Sequence, residues 1–394
     1  MKLRLSLIVC TLILAGCNIS VTSLPTLPQQ PVEATPTEVP PTPVPDTPAP
    51  PALDAPRVES PELLEIQFLN ELDAWGITET EIVRTNDGGI TWYDVTPEDL
   101  TETGSTVETF ILDKDHVWVQ KPDFNNFPNN GLLYHTADGG LTWTVSSTPF
   151  SGGDLNFLDE DRGWMLADLG VGAGSNAVAV FQTGDGGATW VQAYTNDPND
   201  PESGDSLPLG GLKADLVPLN MQTAWVGGVI YSSGTVYLYR ADDGGHTWSP
   251  VTLELPAGAE NSELGIEEDH MHFVSNSDGF LVLRMSGEST QTAVYTTDDG
   301  GDTWTLTPTR IPEAGMAGFL SAEEMIIYNG EQFYATRDAA KTWITITPDI
   351  VFGDAFVTMD FVNLNSGWVV TVADNQRSLY RTNDGGTTWL PVSP

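Results

Sequence analysis

Short apolar stretches alternate with polar turns along residues 62–394, and none of these stretches keeps a helical period. A typical unit begins with a strand that leads to a small residue and Trp, as in Phe157 followed by Gly163-Trp164. A third strand, such as Leu379-Tyr380-Arg381, precedes a glycine-containing turn and a fourth strand. This pattern predicts antiparallel hairpins and an all-β fold.

The glycine-containing turn is an octapeptide that recurs seven times, first as Thr85-Asn86-Asp87-Gly88-Gly89-Ile90-Thr91-Trp92. Successive copies lie about 50 residues apart, and units of four short strands at this spacing predict a β-propeller. We therefore expect a seven-bladed propeller of four-stranded antiparallel blades over residues 62–394. The shared aspartates are Asp87, Asp138, Asp185, Asp243, Asp299, Asp338 and Asp384, and the shared tryptophans are Trp92, Trp143, Trp190, Trp248, Trp304, Trp343 and Trp389.

The chemistry of the octapeptide favours a tight turn. Glycine adopts positive φ without a Cβ clash, and the Asp carboxylate accepts a backbone N–H bond two residues on. Burial of each Trp contributes roughly 1.5–3 kcal/mol, so we expect the seven rings to anchor the blades to one another. The sixth copy has Ala339 and Ala340 in place of glycine. If both keep positive φ, each costs about 1–2 kcal/mol, so we predict that blade six is the least stable.

The octapeptide resembles the Asp box, or BNR repeat, of bacterial sialidases, sortilin-type receptors, some xyloglucanases and the photosystem II assembly/stability factor family. Together with the Phe…Gly-Trp element, it is most similar to the last of these, over about residues 62–394. The resemblance implies that the Asp residues are structural and lie at the blade periphery, in the turn between the third and fourth strands. The xyloglucanases with this motif usually use two propellers that face one cleft, whereas this chain is expected to form one propeller.

The N-terminal region is expected to direct and anchor the protein. Lys2 and Arg4 precede an apolar run, Leu5 to Leu14, that is typical of a secretory signal peptide and too short to span a bilayer comfortably. Residues 1–17 end in a sequence that resembles a bacterial lipobox, which predicts lipidation of Cys17. The alternative is an ordinary signal peptide in which Cys17 has no role. Residues 18–61 are rich in Pro and Thr and are expected to form a disordered, extended linker.

The charge of the chain excludes nucleic acid as a partner. With 55 acidic and 15 basic side chains, the formal net charge is −40, which repels phosphate backbones and anionic lipid. We expect membrane contact through the N-terminal lipid only, on the periplasmic or outer side of the cytoplasmic membrane. Both cysteines, Cys10 and Cys17, lie in the N-terminal region, so the folded part has no disulfide framework.

Candidate reactive side chains are few. Arg84, Arg240 and Arg381 occupy the same place in their repeats, which spreads them around the ring instead of focusing them as a sialidase requires. We retain them as candidates for partner binding. No pair of carboxylates stands out, and His270-Met271-His272 has no third ligand at a useful spacing. We therefore predict no catalytic residue, no metal and no cofactor.

Two functions follow from these observations. The first is a monomeric, non-catalytic binding or assembly scaffold of the cell envelope, which presents a rigid propeller face to a protein or glycan partner. The alternative is an extracellular carbohydrate-active enzyme, either sialidase-like or another glycoside hydrolase. The acidic insertions at Asn196 to Leu212 and Glu254 to Asp269 are either binding loops or solvated surface.

Overall fold

The computed structural model describes residues Leu53–Ser393. The predicted signal peptide, Cys17 and the predicted linker up to residue 52 lie outside the described residues. Within the described part the all-β prediction is confirmed, since the only helices there are three short 3-10 turns at Gly104–Thr106, Ala259–Asn261 and Gly353–Ala355. No helix in this part of the chain has the length and apolar character needed to cross a membrane.

The strands follow the repeats. They are, in chain order, β1 (Arg57–Val58), β2 (Glu65–Phe68), β3 (Ala74–Ile77), β4 (Ile82–Thr85), β5 (Trp92–Asp94), β6 (Glu108–Ile111), β7 (Val117–Pro122), β8 (Gly131–Thr136), β9 (Thr144–Thr148), β10 (Gly153–Phe157), β11 (Gly163–Gly172), β12 (Ser175–Thr183), β13 (Val191–Thr195), β14 (Leu212–Pro218), β15 (Ala224–Val229), β16 (Tyr237–Ala241), β17 (Ser249–Pro250), β18 (Glu263–Gly265), β19 (Met271–Phe273), β20 (Gly279–Ser286), β21 (Thr290–Thr297), β22 (Thr305–Pro312), β23 (Met316–Phe319), β24 (Met325–Tyr328), β25 (Phe333–Thr336), β26 (Ile344–Ile346), β27 (Phe356–Phe361), β28 (Gly367–Ala373), β29 (Gln376–Thr382) and β30 (Leu390–Pro391).

Each repeat contributes four antiparallel strands in sequence order, which confirms four-stranded propeller blades. Four sheets have four strands each, and a fifth, β2 to β5, gains the edge strand β1. Because β1 lies at Arg57–Val58 and pairs with β5, the ordered fold starts before residue 62, inside the segment predicted to be linker.

The number of separate blades differs from the prediction. The structure has five separate blades instead of seven, because the strands of the fourth and fifth repeats join in one nine-stranded sheet. The connection is β18, whose Gly265 pairs with Val229 of β15 and also with Arg284 of β20. The acidic insertion after Glu254 supplies β18, so this segment is structural and not a free loop.

The first and last repeats meet through side chains and not by exchange of a strand. Asp360 of β27 accepts a hydrogen bond from the backbone N–H of Phe68 in β2. The Phe68 ring stacks on Trp368 with centroids 3.6 Å apart. The Ser366 hydroxyl donates to the Glu71 carboxylate at 2.8 Å.

The tryptophans that contribute most to the core are those in the second strands of the repeats. Trp75, Trp118, Trp164, Trp225 and Trp368 are all fully buried. Among the octapeptide tryptophans, Trp92, Trp248 and Trp389 are buried, whereas Trp143, Trp190, Trp304 and Trp343 are only partly so. The full burial expected of all seven octapeptide rings is therefore met by three only, although Trp143 still donates its indole N–H to the Val95 carbonyl of the first repeat at 2.8 Å. The strand that the octapeptide begins is the outer one of its sheet, where less protein covers the ring.

Candidate active site

The octapeptide turns lie at one end of the propeller. In each repeat the Gly or Ala directly after the shared Asp donates its backbone N–H to a carbonyl in the turn between the first and second strands, as Gly88 does to Leu72 at 2.9 Å. The turn between the third and fourth strands therefore packs on the turn between the first two. The other end of the propeller holds the starts of the first strands and the loops between the second and third strands.

All seven octapeptide aspartates close their own turns. Each carboxylate accepts a hydrogen bond from the backbone N–H four residues on, not two, at 2.8–3.0 Å. The Thr189 hydroxyl donates to Asp185 and holds the pKa of that carboxyl below its ordinary value, and Thr342 does the same for Asp338. These carboxylates face their own turns and do not gather in a common pocket.

The three candidate arginines hold neighbouring repeats together. Arg84 is buried, lies over the Trp75 ring at 5.6 Å and donates to the Gly139 carbonyl of the next octapeptide at 3.2 Å. Arg240 lies over Trp225 at 5.1 Å and donates to Gly301 at 3.3 Å.

Arg381 follows the same arrangement across the junction of the last and first repeats. Its guanidinium lies 4.9 Å from the Trp368 ring centroid and pairs with Glu71 at 3.5 Å. Since all three guanidinium groups are engaged between repeats, the prediction that they bind a partner is not supported by their positions.

A set of carboxylates occupies one register in the first strands of four successive repeats. The last residue of each first strand pairs with the small residue before the buried Trp, as Phe68 pairs with Ala74 and Phe157 with Gly163. Three residues before that position stand Glu65, Glu108, Asp154 and Asp215, which pair with Ile77, Gln120, Leu166 and Gly227.

In the fifth repeat His270 takes this register position, three residues before Phe273, and Glu268 and Asp269 lie just before it in the chain. We call the six residues Glu65, Glu108, Asp154, Asp215, Glu268 and Asp269 the inner carboxylates. The first strands of successive repeats contact one another around the propeller axis, for example through the Asp215 carboxylate, which accepts from the Met271 N–H at 3.2 Å. The shared register places four of the inner carboxylates at the end of the propeller opposite the octapeptides. Glu268 and Asp269 lie close to them, since both raise the pKa values of Glu65 and Asp154.

Burial and mutual repulsion raise the pKa values of this set. Burial, followed by repulsion from Asp154, raises the pKa of Glu108 to about 9. Burial also raises the pKa of Asp154 to about 7. It raises the pKa values of Glu65 and Glu268 as well, and repulsion from Asp269 raises both further. Glu108 consequently holds a proton at neutral pH, which is the state that a general acid needs.

The inner carboxylates divide into bonded and free groups. Asp154 accepts from the Leu216 N–H and, at 2.7 Å, from the Asn156 amide. Within residues 53–393, no hydrogen bond reaches the carboxylates of Glu65, Glu108 or Glu268. The bonded pair, Asp154 and Asp215, links neighbouring first strands, whereas the free carboxylates are open to a ligand.

A cleft of about 460 Å³ adjoins two of the free carboxylates, Glu108 and Glu268. Glu108, Asp154, Asp168 and Glu268 line it, and no arginine does. Phe124 and Phe127 reach the same cleft from the loop between β7 and β8. The cleft thus combines a protonated carboxyl, other carboxyls and exposed aromatic rings, which is the composition expected where sugar rings bind and glycosidic bonds are cleaved.

The two histidines of the fifth repeat do not form a metal centre with other side chains in the described part of the chain. His272 stacks on Phe319 with centroids 5.4 Å apart, and burial lowers the pKa of both His270 and His272. Between residues 53 and 393, no group of three or more His, Cys, Asp and Glu side chains is arranged to hold a metal ion.

The inner carboxylates are absent from the residues predicted from the sequence, although a signal for them is present there. Four of them stand three residues before the strand end that pairs with the residue preceding Trp, namely Glu65, Glu108, Asp154 and Asp215. In the second repeat β6 ends at Ile111, which pairs with Val117, and this register makes Glu108 the equivalent of Asp154.

Comparison with known proteins connects the fold to enzymes that act on polysaccharides. No family model matches the chain. A xyloglucanase from a Paenibacillus species is 25% identical over 343 residues, which cover 78% of this chain and 29% of the relative. The chain therefore spans less than a third of the length of this relative.

Solved structures show the same fold at lower identity. The GH74 xyloglucanase from Xanthomonas campestris is 14% identical with a TM-score of 0.54, covering 84% of this chain and 54% of that one. YCF48 from Cyanidioschyzon merolae is 16% identical with a TM-score of 0.51, covering 82% and 96%. These likenesses support the β-propeller predicted from the sequence.

The predictions of a non-catalytic scaffold and of a protein without enzymatic activity are overturned by these comparisons. The curated relative that aligns with most of the chain is named for an enzymatic activity, xyloglucanase. The alternative, a carbohydrate-active enzyme, agrees better with this match. The chain has 55 acidic residues, and no pair among them stands out until the strand register is known.

Proposed function

We propose that the protein is a glycoside hydrolase that cleaves a polysaccharide of the xyloglucan type in the cleft beside Glu108. The observation that carries the proposal is the convergence of the inner carboxylates on one cleft, where a protonated Glu108 and a free Glu268 both form part of the lining. The alignment of 78% of the chain with a xyloglucanase supports the choice of polymer.

Glu108 is assigned the role of general acid. Its pKa of about 9 keeps the carboxyl protonated at neutral pH, so it can donate that proton to the glycosidic oxygen as the bond to the anomeric carbon breaks. The cleft surrounds the donor with protein, which favours the neutral acid before the transfer.

Glu268 is assigned the role of base. It lines the same cleft from the fifth repeat and accepts no hydrogen bond from the described chain. Its ionised carboxylate removes a proton from the attacking water, whose oxygen bonds to the anomeric carbon. Burial and the nearby Asp269 raise its pKa, which makes the carboxylate a stronger base.

Asp154 is assigned a positioning role. Its carboxylate is held by the Leu216 N–H and the Asn156 amide, so it fixes the adjoining first strands of the third and fourth repeats. Its nearness to Glu108 is one of the causes that keep the general acid protonated.

A sialidase-like activity is not part of the proposal. Recognition of a sialic acid carboxylate depends on arginines, and none lines the cleft. The candidate arginines Arg84, Arg240 and Arg381 are engaged between repeats at the octapeptide turns.

We also propose that the enzyme works outside the cytoplasmic membrane, held by a lipid on Cys17. A polysaccharide too large to cross a membrane requires an enzyme on its own side. A Pro-rich linker from residue 18 would let the propeller reach a substrate away from the bilayer.

The proposal is tested by measuring reducing ends released from xyloglucan by the wild-type chain and by Glu108→Gln, Glu268→Gln and Glu102→Gln. We expect turnover by the wild type and a loss of at least ~10²-fold in each of the first two variants, since each removes one proton-transfer group. Glu102 is exposed and lies outside the cleft, so its variant should keep wild-type activity. Absence of turnover by the wild type, or full activity in Glu108→Gln, contradicts the proposal.

A further inference from the structure

The loop between β7 and β8 holds two large aromatic rings in solvent. Phe124 is 71% exposed and Phe127 is 45% exposed, and both line the cleft that contains Glu108. Exposed aromatic rings that border a cleft mark a binding surface more often than isolated apolar side chains do.

This loop is fixed to the body of the protein. The Asn126 amide donates to the Asp123 carboxylate at 2.6 Å, and the Ser151 N–H donates to the Pro128 carbonyl at 2.8 Å. Gln120 then donates to the Ser151 carbonyl at 2.7 Å, from a fully buried position in β7. The two phenyl rings are therefore presented by an anchored loop, which lowers the entropy lost when a ligand packs on them.

The cationic side chain that lines the cleft already has a full set of hydrogen-bond acceptors. Lys213 is the one Lys or Arg among the described residues that line the cleft. Its ammonium donates to the carbonyls of Asn176, Leu209 and Gly211 at 3.0, 2.8 and 3.1 Å. An ammonium group has three N–H donors, so none remains for a carboxylate or sulfate on a polysaccharide.

We propose that Phe124 and Phe127 form a stacking platform for a neutral pyranose ring, adjacent to the sugar whose glycosidic bond lies at Glu108. The C–H face of a pyranose packs against the face of a phenyl ring, while the sugar hydroxyls donate to the carboxylates across the cleft. The acidic lining and the occupied Lys213 reject polysaccharides that carry anionic groups. This platform rests on the proposed function, because it binds the same substrate at the same cleft.

The platform is tested by isothermal titration of the wild type and four variants with a xyloglucan oligosaccharide and, separately, with carboxymethylcellulose. The variants are Phe124→Ala, Phe127→Ala, Phe124→Trp and the control Leu141→Ala. Leu141 is 51% exposed in the octapeptide of the same repeat, at the opposite end of the sheet. We expect each Phe→Ala variant to weaken xyloglucan binding about fivefold or more, whereas Phe124→Trp and Leu141→Ala keep wild-type affinity.

The outcomes separate the platform from the catalytic proposal. If both Phe→Ala variants bind xyloglucan as the wild type does, the platform is overturned. The roles of Glu108 and Glu268 are then unaffected, because the turnover assay tests them separately. Equal binding of carboxymethylcellulose overturns the selection for neutral polymers. A wild-type chain that neither binds nor cleaves xyloglucan overturns both proposals.

Discussion

At the scale of single residues, the sixth octapeptide keeps the turn of its neighbours without their glycines. Ala339 and Ala340 adopt φ values of 56° and 61°, in the left-handed region where the equivalent Gly385 and Gly386 lie at 73° and 89°. The Ala340 N–H still donates to the Thr336 hydroxyl at 3.0 Å, as the glycines do in other copies. The turn is therefore the same, and the alanines carry the backbone strain.

Replacing the first of these alanines should stabilise the protein. We expect Ala339→Gly to raise the free energy of unfolding by about 1 kcal/mol, because glycine adopts positive φ without the clash of a Cβ atom. Urea denaturation measures the change. The opposite substitution, Gly385→Ala, places a Cβ 2.6 Å from the Leu364 carbonyl oxygen and should destabilise. A loss of stability in Ala339→Gly contradicts this account of the turn.

Arg84 illustrates a residue whose role the sequence did not reveal. Its guanidinium lies between the Trp75 ring and the Gly139 carbonyl, so it joins the first and second repeats. We expect Arg84→Ala to lower the free energy of unfolding by about 1–2 kcal/mol, from the loss of the cation–π contact and the hydrogen bond. The same denaturation on Arg57→Ala, whose side chain is about half exposed, should show a change within about 0.5 kcal/mol. Equal effects of the two substitutions show that Arg84 does not join the repeats.

At the scale of elements, β18 is the feature that departs most from a regular propeller. This strand of three residues pairs with β20 along its whole length and with β15 at Gly265. Its central side chain, Leu264, is fully buried in the core shared by the fourth and fifth repeats. The two repeats are thereby expected to open as one cooperative unit.

Truncation of Leu264 tests that coupling. We expect Leu264→Ala to destabilise the protein by about 2–5 kcal/mol, the usual range for a buried leucine, and to speed hydrogen exchange in both β15 and β20. Leu255→Ala, at a partly exposed site in the same insertion, should change stability by less than about 0.5 kcal/mol. Faster exchange in only one of the two strands argues that β18 does not couple the repeats.

The sequence predicted the repeated strands and turns better than the pairing between repeats. The octapeptides and the small residue before Trp locate the turns and the second strands, because Asp, Gly and Trp have strong local preferences. They contain no information on β18, because its pairing partners are distant in sequence. Val229 is 36 residues from Gly265, and Ser286 is 23 residues from Glu263. The inner carboxylates could not be predicted for a related reason, because their equivalence depends on strand register. In the second repeat that register is set by Ile111, which ends β6 and pairs with Val117.

At the scale of the whole molecule, the inner carboxylates should make stability depend on pH. The pKa of Glu108 rises from an ordinary 4.5 to about 9 on folding, so the folded state holds a proton that the unfolded chain has lost at neutral pH. Stability conferred by this difference is largest below pH 4.5 and decreases as the pH rises through about 9.

Denaturation at pH 5 and pH 8 tests this dependence. We expect the wild type to be less stable at pH 8 than at pH 5, and Glu108→Gln to reduce that difference, because the amide stays neutral at both values. Glu102→Gln removes an exposed carboxylate from the preceding loop and should leave the difference unchanged. A Glu108→Gln variant with the pH dependence of the wild type shows that Glu108 is not protonated in the folded state.

The pH profile of kcat/KM for hydrolysis of xyloglucan tests the catalytic site most directly. Because the general acid must carry its proton, we expect wild-type activity to decline on the alkaline side with an apparent pKa near that of Glu108, about 9. A substrate with an aryl leaving group needs little protonation, so Glu108→Gln should cleave it and lose the alkaline decline. Activity on xyloglucan that is absent between pH 4 and 10, or an alkaline limb that persists in Glu108→Gln, contradicts the assignment of this cleft as the active site.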